Sequence, residues 1–164
     1  MALCTLCVSV LKNFKLYKMN REEIKTFLPH REPMLLLDEV NILLEENGNE
    51  IAKATYFVTG HEYFLQGHFP GNPVVPGVIL CEIMGQSAAI LMKEELTGRT
   101  PFFTGMTDVR FKRPAVPNDT LEITARIYNR RALIFFVEAS IHIKGELCAS
   151  GRFTFALVDN ERLL

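Results

Sequence analysis

Hydrophobic positions along this chain follow two periodicities, and between them they predict the elements. From Leu133 to Ile143 the apolar residues alternate. Leu133, Phe135, Val137, Ala139, Ile141 and Ile143 share one face, while Glu138, Ser140 and His142 share the other, as in a strand with one side against a core. Comparable segments predict strands over residues 35–46, 50–58, 102–113, 119–129, 132–143 and 146–157. Turn residues separate them at Glu46-Asn47-Gly48-Asn49, Pro117-Asn118-Asp119, Asn129-Arg130-Arg131 and Lys144-Gly145. A short helix led by acidic residues is predicted over 21–28.

The second periodicity is nearly continuous. Val78, Ile79, Leu80, Cys81, Ile83, Met84, Ala88, Ala89, Ile90, Leu91 and Met92 cover almost every face of a helix that Pro76 can start, so this helix should be buried all round. One such helix among antiparallel strands predicts an α+β domain in which a curved sheet wraps the helix.

Glu82 breaks the pattern. A carboxylate among apolar neighbours must be hydrogen-bonded, paired, or held neutral by a raised pKa. Gln86 lies four residues on and Gly85 three, so the three share one face and leave a polar notch with room for water or a small group. A core glutamate satisfied by Gln86 and backbone fits this pattern as well as a functional acid does.

Upstream, the run from Gly67 to Gly77 (GHFPGNPVVPG) fixes its backbone with closely spaced Gly and Pro before releasing into the helix. His68 alone reads as a loop-structuring residue. Followed by a glutamate inside the next helix, it makes an acid/base pair.

Composition narrows the classes. A chain of 164 residues is one domain, and a net charge of −1 gives no footprint for nucleic acid. The cysteines are Cys4, Cys7, Cys81 and Cys148, and one CxxC without a second pair or nearby His is weak support for zinc or redox chemistry. Unpaired thiols fit a cytoplasmic setting. His61-Glu62-Tyr63-Phe64-Leu65 begins like a zinc-protease motif but has Leu65 where the second ligand belongs.

The segment His68-Phe69-Pro70-Gly71-Asn72-Pro73-Val74-Val75-Pro76-Gly77, followed by Glu82 and Gln86, resembles the signature of bacterial 3-hydroxyacyl-[acyl-carrier-protein] dehydratases of type II fatty acid synthesis. Residues Leu28 to Asp38 (LPHREPMLLLD) resemble that family's opening segment, and Arg110 to Asp119 (RFKRPAVPND) resemble its strand and turn after the helix. The match runs over about residues 20 to 157 in the family's order. The sister dehydratase/isomerases have Asp at the position of Glu82, so the chain sides with the dehydratases.

The resemblance implies a hot-dog fold, homodimers that often assemble as trimers of dimers, and a shared site with His68 from one subunit and Glu82 from its partner. It also implies a narrow apolar tunnel at the interface, against residues such as Phe57, Phe64, Phe69, Met84, Phe102 and Phe103. In that site His68 would take the C2 proton of a 3-hydroxyacyl thioester. Glu82, protonated by its apolar surroundings or acting through a water, would deliver a proton to the C3 hydroxyl, and the Gly77 N–H would meet enolate charge on the thioester oxygen. Gln86, Phe69 and Phe102 are the expected substrate contacts, with no metal or cofactor. Acidic acyl carrier protein would dock on Arg110, Lys112 and Arg113, with Arg130 and Arg131 a second basic cluster. The alternatives are a hot-dog thioesterase, which would use a carboxylate and water, and a non-catalytic acyl-binding subunit, which would lose the His/Glu pair.

Residues 1–18 (MALCTLCVSVLKNFKLYK) are apolar first and basic behind, the reverse of a secretory signal, and too short to span a bilayer. They are expected to be an extension ahead of the 19–164 domain, through an alternative start at Met19 or as an amphipathic piece packing on the surface.

Overall fold

A computed structural model of the chain describes residues 14–163. Seven strands form one antiparallel sheet: β1 Phe14–Asn20, β2 Glu39–Leu44, β3 Glu50–Phe57, β4 Arg99–Phe111, β5 Thr120–Arg131, β6 Ile134–Ile143 and β7 Glu146–Asp159. Their order across the sheet is β1-β2-β3-β5-β6-β7-β4, which leaves β1 and β4 at the two edges. A short helix α1 spans Arg21–Phe27, and the long helix α2 spans Gly77–Ala89. Among the described residues no helix is long and apolar enough to cross a membrane.

The sheet forms by the expected alternation. In β6 the residues Phe135, Val137, Ala139, Ile141 and Ile143 are buried, and those between them are not. Helix α2 packs against β3, β5, β6 and β7, and its own residues from Leu80 to Ala89 are buried except Glu82. Its first turn departs from the expected all-round burial, because Val78 is 76% exposed. The helix tightens into a 3-10 turn at Ile90–Met92 rather than running as α-helix to Met92.

Three features differ from the sequence reading. Leu35, Leu36 and Leu37 are fully buried but precede the strand, which begins only at Glu39. The Leu35 N–H donates to the Arg31 carbonyl, and other backbone groups here are taken by side chains instead of a ladder. Arg21 donates to the carbonyls of Leu35 and Leu37 and to Asp38, and the Leu36 N–H donates to Gln86. The turn expected at residues 129–131 lies at Ala132 and Leu133, after a bulge near Asn129 lets β5 continue to Arg131. Finally, a strand not expected from the sequence, β1, pairs with β2 from Phe14 to Asn20, and Met19 within it is fully buried.

Helix α1 is capped reciprocally: Asn20 accepts from the Glu23 N–H, and Glu23 accepts from the Asn20 N–H. The Cys4/Cys7 pair lies outside the described residues. Cys81 and Cys148 are buried free thiols whose pKa values burial raises.

Candidate active site

Glu82 sits in the second turn of α2, one-fifth exposed, with two polar partners, Gln86 and His30. Gln86, one turn on, donates from Nε2 to Glu82 Oε1 at 2.8 Å and to the Met34 carbonyl at 2.7 Å. Its Oε1 accepts from the Leu36 N–H at 2.9 Å. Gln86 therefore ties the helix to the loop through which residues 28–38 reach β2. That loop also supplies His30, whose Nε2 lies 3.1 Å from Glu82 Oε1.

These contacts bear on the charge of Glu82. Burial raises its pKa, but hydrogen bonds from His30 and Gln86 outweigh burial and leave it below the ordinary glutamate value. The two donors thus favour the ionised carboxylate. Beside it is a cavity of about 40 Å³ bounded by His30, Glu82, Gly85, Gln86, Ala89, Pro101, Phe103 and Phe155. The notch expected at Gly85 is occupied by the Phe103 ring, so the remaining space suits water or a small group and not an acyl chain.

His68 is presented by the loop between β3 and α2. Its Nδ1 lies 2.8 Å from the Val74 carbonyl, and its own carbonyl accepts from the Val74 N–H at 2.8 Å. A carbonyl only accepts, so the ring proton of the neutral imidazole belongs on Nδ1, and Nε2 carries the free lone pair. Phe69 stacks on the imidazole at 4.2 Å, and the Val75 N–H bonds to Ala115, anchoring the loop to the segment after β4.

His68 is not among the residues around the Glu82 cavity, and no hydrogen bond or ion pair joins the two within one protomer. The Pro76 carbonyl takes the N–H groups of Ile79 and Leu80, whereas the Gly77 N–H finds no acceptor among the described residues. At Gly77 the Phe111 ring lies 2.8 Å from where a Cβ would stand, so a side chain there would displace the ring. Phe57, Phe69 and Phe102 are exposed, Phe103 is partly buried, and Phe64 and Met84 belong to the core. Among them Phe103 lines the small cavity beside Glu82. Arg110 and Lys112 are exposed, while Arg113 is engaged by Glu146 at 2.8 Å.

His61-Glu62 has a structural role: Glu62 accepts from the N–H groups of Thr59 and Gly60 and from the Thr59 hydroxyl. Among the described residues no cluster of His, Cys, Asp or Glu could hold a metal ion. The site residue missed in the sequence is His30. Its signal is the one His68 gives, a histidine in a loop stiffened by prolines, here Pro29 and Pro33.

A FabA-like domain model matches residues 28–152. The chain is 44% identical over 141 residues to a 3-hydroxyacyl-[acyl-carrier-protein] dehydratase FabZ of Clostridium perfringens, covering 85% of this chain and 99% of that protein. It is 47% identical over 136 residues to the FabZ of Streptococcus sanguinis, covering 82% and 94%. Among solved structures, the dehydratase heterocomplex ApeI:P of Xenorhabdus doucetiae aligns with a TM-score of 0.71 at 20% identity, over 85% of this chain and 93% of that one. A mutant of the fluoroacetyl-CoA-specific thioesterase FlK aligns with a TM-score of 0.61 at 18% identity, over 70% and 90%. These two establish the hot-dog fold, which serves dehydratases and thioesterases alike, so the choice between them rests on the sequence relatives. With the family model over most of its length and FabZ relatives covered nearly end to end, the chain belongs to the FabA-like family, on its FabZ-type dehydratase branch.

Proposed function

We propose that this protein removes water from 3-hydroxyacyl-acyl carrier protein to give the trans-2-enoyl product during fatty acid elongation. The observation that carries this reading is a histidine with a free Nε2 and a hydrogen-bonded glutamate, on a chain 44–47% identical to FabZ dehydratases. Dehydration needs a base for the weakly acidic C2 proton and a group that manages the departing C3 hydroxyl. His68 Nε2 is the base. Glu82, being ionised, serves the hydroxyl end directly or through a water in the adjoining cavity, not as a protonated acid. The unclaimed Gly77 N–H at the start of α2 is the donor for enolate charge on the thioester oxygen.

The two halves of the site come from different subunits in this reading. Support comes from the lack of any hydrogen bond or ion pair between them within one protomer, and from apolar side chains open on one chain. Phe69, Val78, Phe102, Met106 and Phe111 are all exposed at the loop, the start of α2 and the edge strand β4. A second copy covering them would build the acyl tunnel and join the two sheets at β4, and trimers of such dimers are the larger assembly. Arg110 and Lys112 are the docking cations for acidic acyl carrier protein. Arg113, committed to Glu146, contributes less.

Purified protein given a 3-hydroxyacyl thioester tests the reaction. Dehydration gives a rise in enoyl absorbance with no free thiol. Release of thiol without enoyl absorbance would establish a thioesterase, and neither signal would leave only an acyl-binding role.

A further inference from the structure

The two ring nitrogens of His30 are in opposite circumstances. Nε2 lies 3.1 Å from Glu82 Oε1, whereas Nδ1 is buried with no hydrogen-bond partner. An ionised carboxylate can only accept, so the ring proton of the neutral imidazole sits on Nε2 and Nδ1 keeps a bare lone pair. An orphaned buried acceptor is destabilising. It is tolerated here where the other nitrogen faces the glutamate of the site.

Gln86 donates to the same oxygen, so both protein donors converge on Oε1, and Oε2 takes no hydrogen bond from the described residues. No other charge acts on the pair. Helix α2 brings Gly85, Gln86 and Ala89 to the cavity, β4 brings Pro101 and Phe103, and β7 brings Phe155. Beside His30 on its own loop, Arg31 donates to the Leu28 and His30 carbonyls, and Glu32 is held by Arg21 and Lys25.

We propose that His30 is a positioning residue for Glu82: by donating from Nε2 to Oε1 it holds the carboxylate ionised and leaves Oε2 as the oxygen that meets the substrate hydroxyl. For the substrate this rests on the dehydratase reading above; for the state of Glu82 it does not. An ionised Glu82 accepts a hydrogen bond from the C3 hydroxyl and has no proton to give. The C2 proton therefore passes to His68 Nε2, and from there to the C3 oxygen as the C3–O bond breaks and the C2–C3 double bond forms. Water leaves, and both residues return to their starting states.

The test is the titration of the Glu82 carboxyl, followed by carbon-13 NMR in glutamate-labelled protein and assigned by its loss in Glu82→Gln. In the wild-type chain it should titrate below the ordinary value of about 4.3. His30→Ala should carry it above that value, since burial then acts against one donor fewer, and His30→Gln, whose amide can donate from a similar place, should return it part of the way. In parallel, as pH is lowered the kcat of His30→Ala should begin to fall at a higher pH than that of the wild type, with KM little changed, and recover as pH rises. The loss should be about tenfold for each unit by which the Glu82 pKa comes to exceed the assay pH.

A Glu82 titration unmoved in both His30 variants would overturn the proposal. So would a His30→Ala enzyme that gains activity as pH falls, because protonated Glu82 would then be the working form. Should His30→Ala fail to fold, His30→Gln against wild type decides by the same two readouts. Absence of dehydration by the wild-type protein would fail the functional reading alone, while the carboxyl titration still decides the role of His30.

Discussion

His68, Glu82 and His30 each have one protein-bound atom and one free atom, and the proposed chemistry uses that division. His68 is tied at Nδ1 and open at Nε2. Replacing it with alanine should cost about 100-fold or more in turnover, the usual worth of a general base, while melting temperature and oligomer size hold. The loop around it is kept by Pro70, Pro73 and backbone bonds from Val74 and Val75, not by the imidazole alone. Turnover near wild type in a folded His68→Ala protein would reject the assignment. Glu82→Gln should abolish dehydration yet melt close to wild type at neutral pH, because the amide oxygen can still accept from His30 and Gln86 and no buried charge remains. The pH dependence has a definite sign. The folded pKa of Glu82 lies below its unfolded value, so its contribution to stability is present above the unfolded value and lost as pH falls through the folded one. A comparison of wild type with Glu82→Gln by thermal melts should therefore find the variant gaining relative stability below about pH 4.3.

At the scale of elements, two glycines of α2 admit two aromatic rings, and their surroundings predict unequal responses to the same substitution. A Cβ on Gly85 would stand 2.4 Å from the Phe103 ring, which is partly buried between α2 and the Phe153 and Phe155 rings. Gly85→Ala should destabilise by about 1–3 kcal/mol through overpacking, with recovery in a Gly85→Ala/Phe103→Leu double variant. At Gly77 the obstructing Phe111 ring is 52% exposed and can swing aside, so Gly77→Ala should cost clearly less in a denaturant melt. Equal losses at both positions would contradict this packing. The strands facing α2 were legible because alternation survives wherever one face is buried, as in Phe135 to Ile143. The run Leu35 to Leu37 was not, since equally apolar residues are held there by the Arg21 guanidinium and Gln86 in place of a ladder, and side-chain partners of distant backbone leave no local period. For β1 the fault was different: its pairing with β2 depends on an edge that only the assembled sheet supplies. In the site, the 82/86 contact followed from helical spacing, while the His30 contact joins residues 52 apart in sequence and had no periodic trace.

At the scale of the whole molecule, the proposed reaction depends on what one chain leaves incomplete. The proposed substrate is borne on an acidic carrier, so reversing Arg110 and Lys112 to glutamate should raise KM for the protein-borne substrate severalfold while leaving a small-thioester substrate unaffected. Equal effects on both substrates would place these cations elsewhere in the chemistry. The lack of any hydrogen bond or ion pair between His68 and Glu82 within one protomer, together with the exposed Val78, Phe102 and Phe111, makes the shared site the central claim. It is tested most directly by co-expressing His68→Ala and Glu82→Gln chains, each inactive alone. Random pairing makes about half of the dimers mixed, and each mixed dimer has one doubly damaged site and one intact site, so roughly a quarter of wild-type activity should return. Activity that stays at the level of the single variants, with mixed dimers verified by mass spectrometry, would show that both residues serve from the same chain and would contradict the shared site.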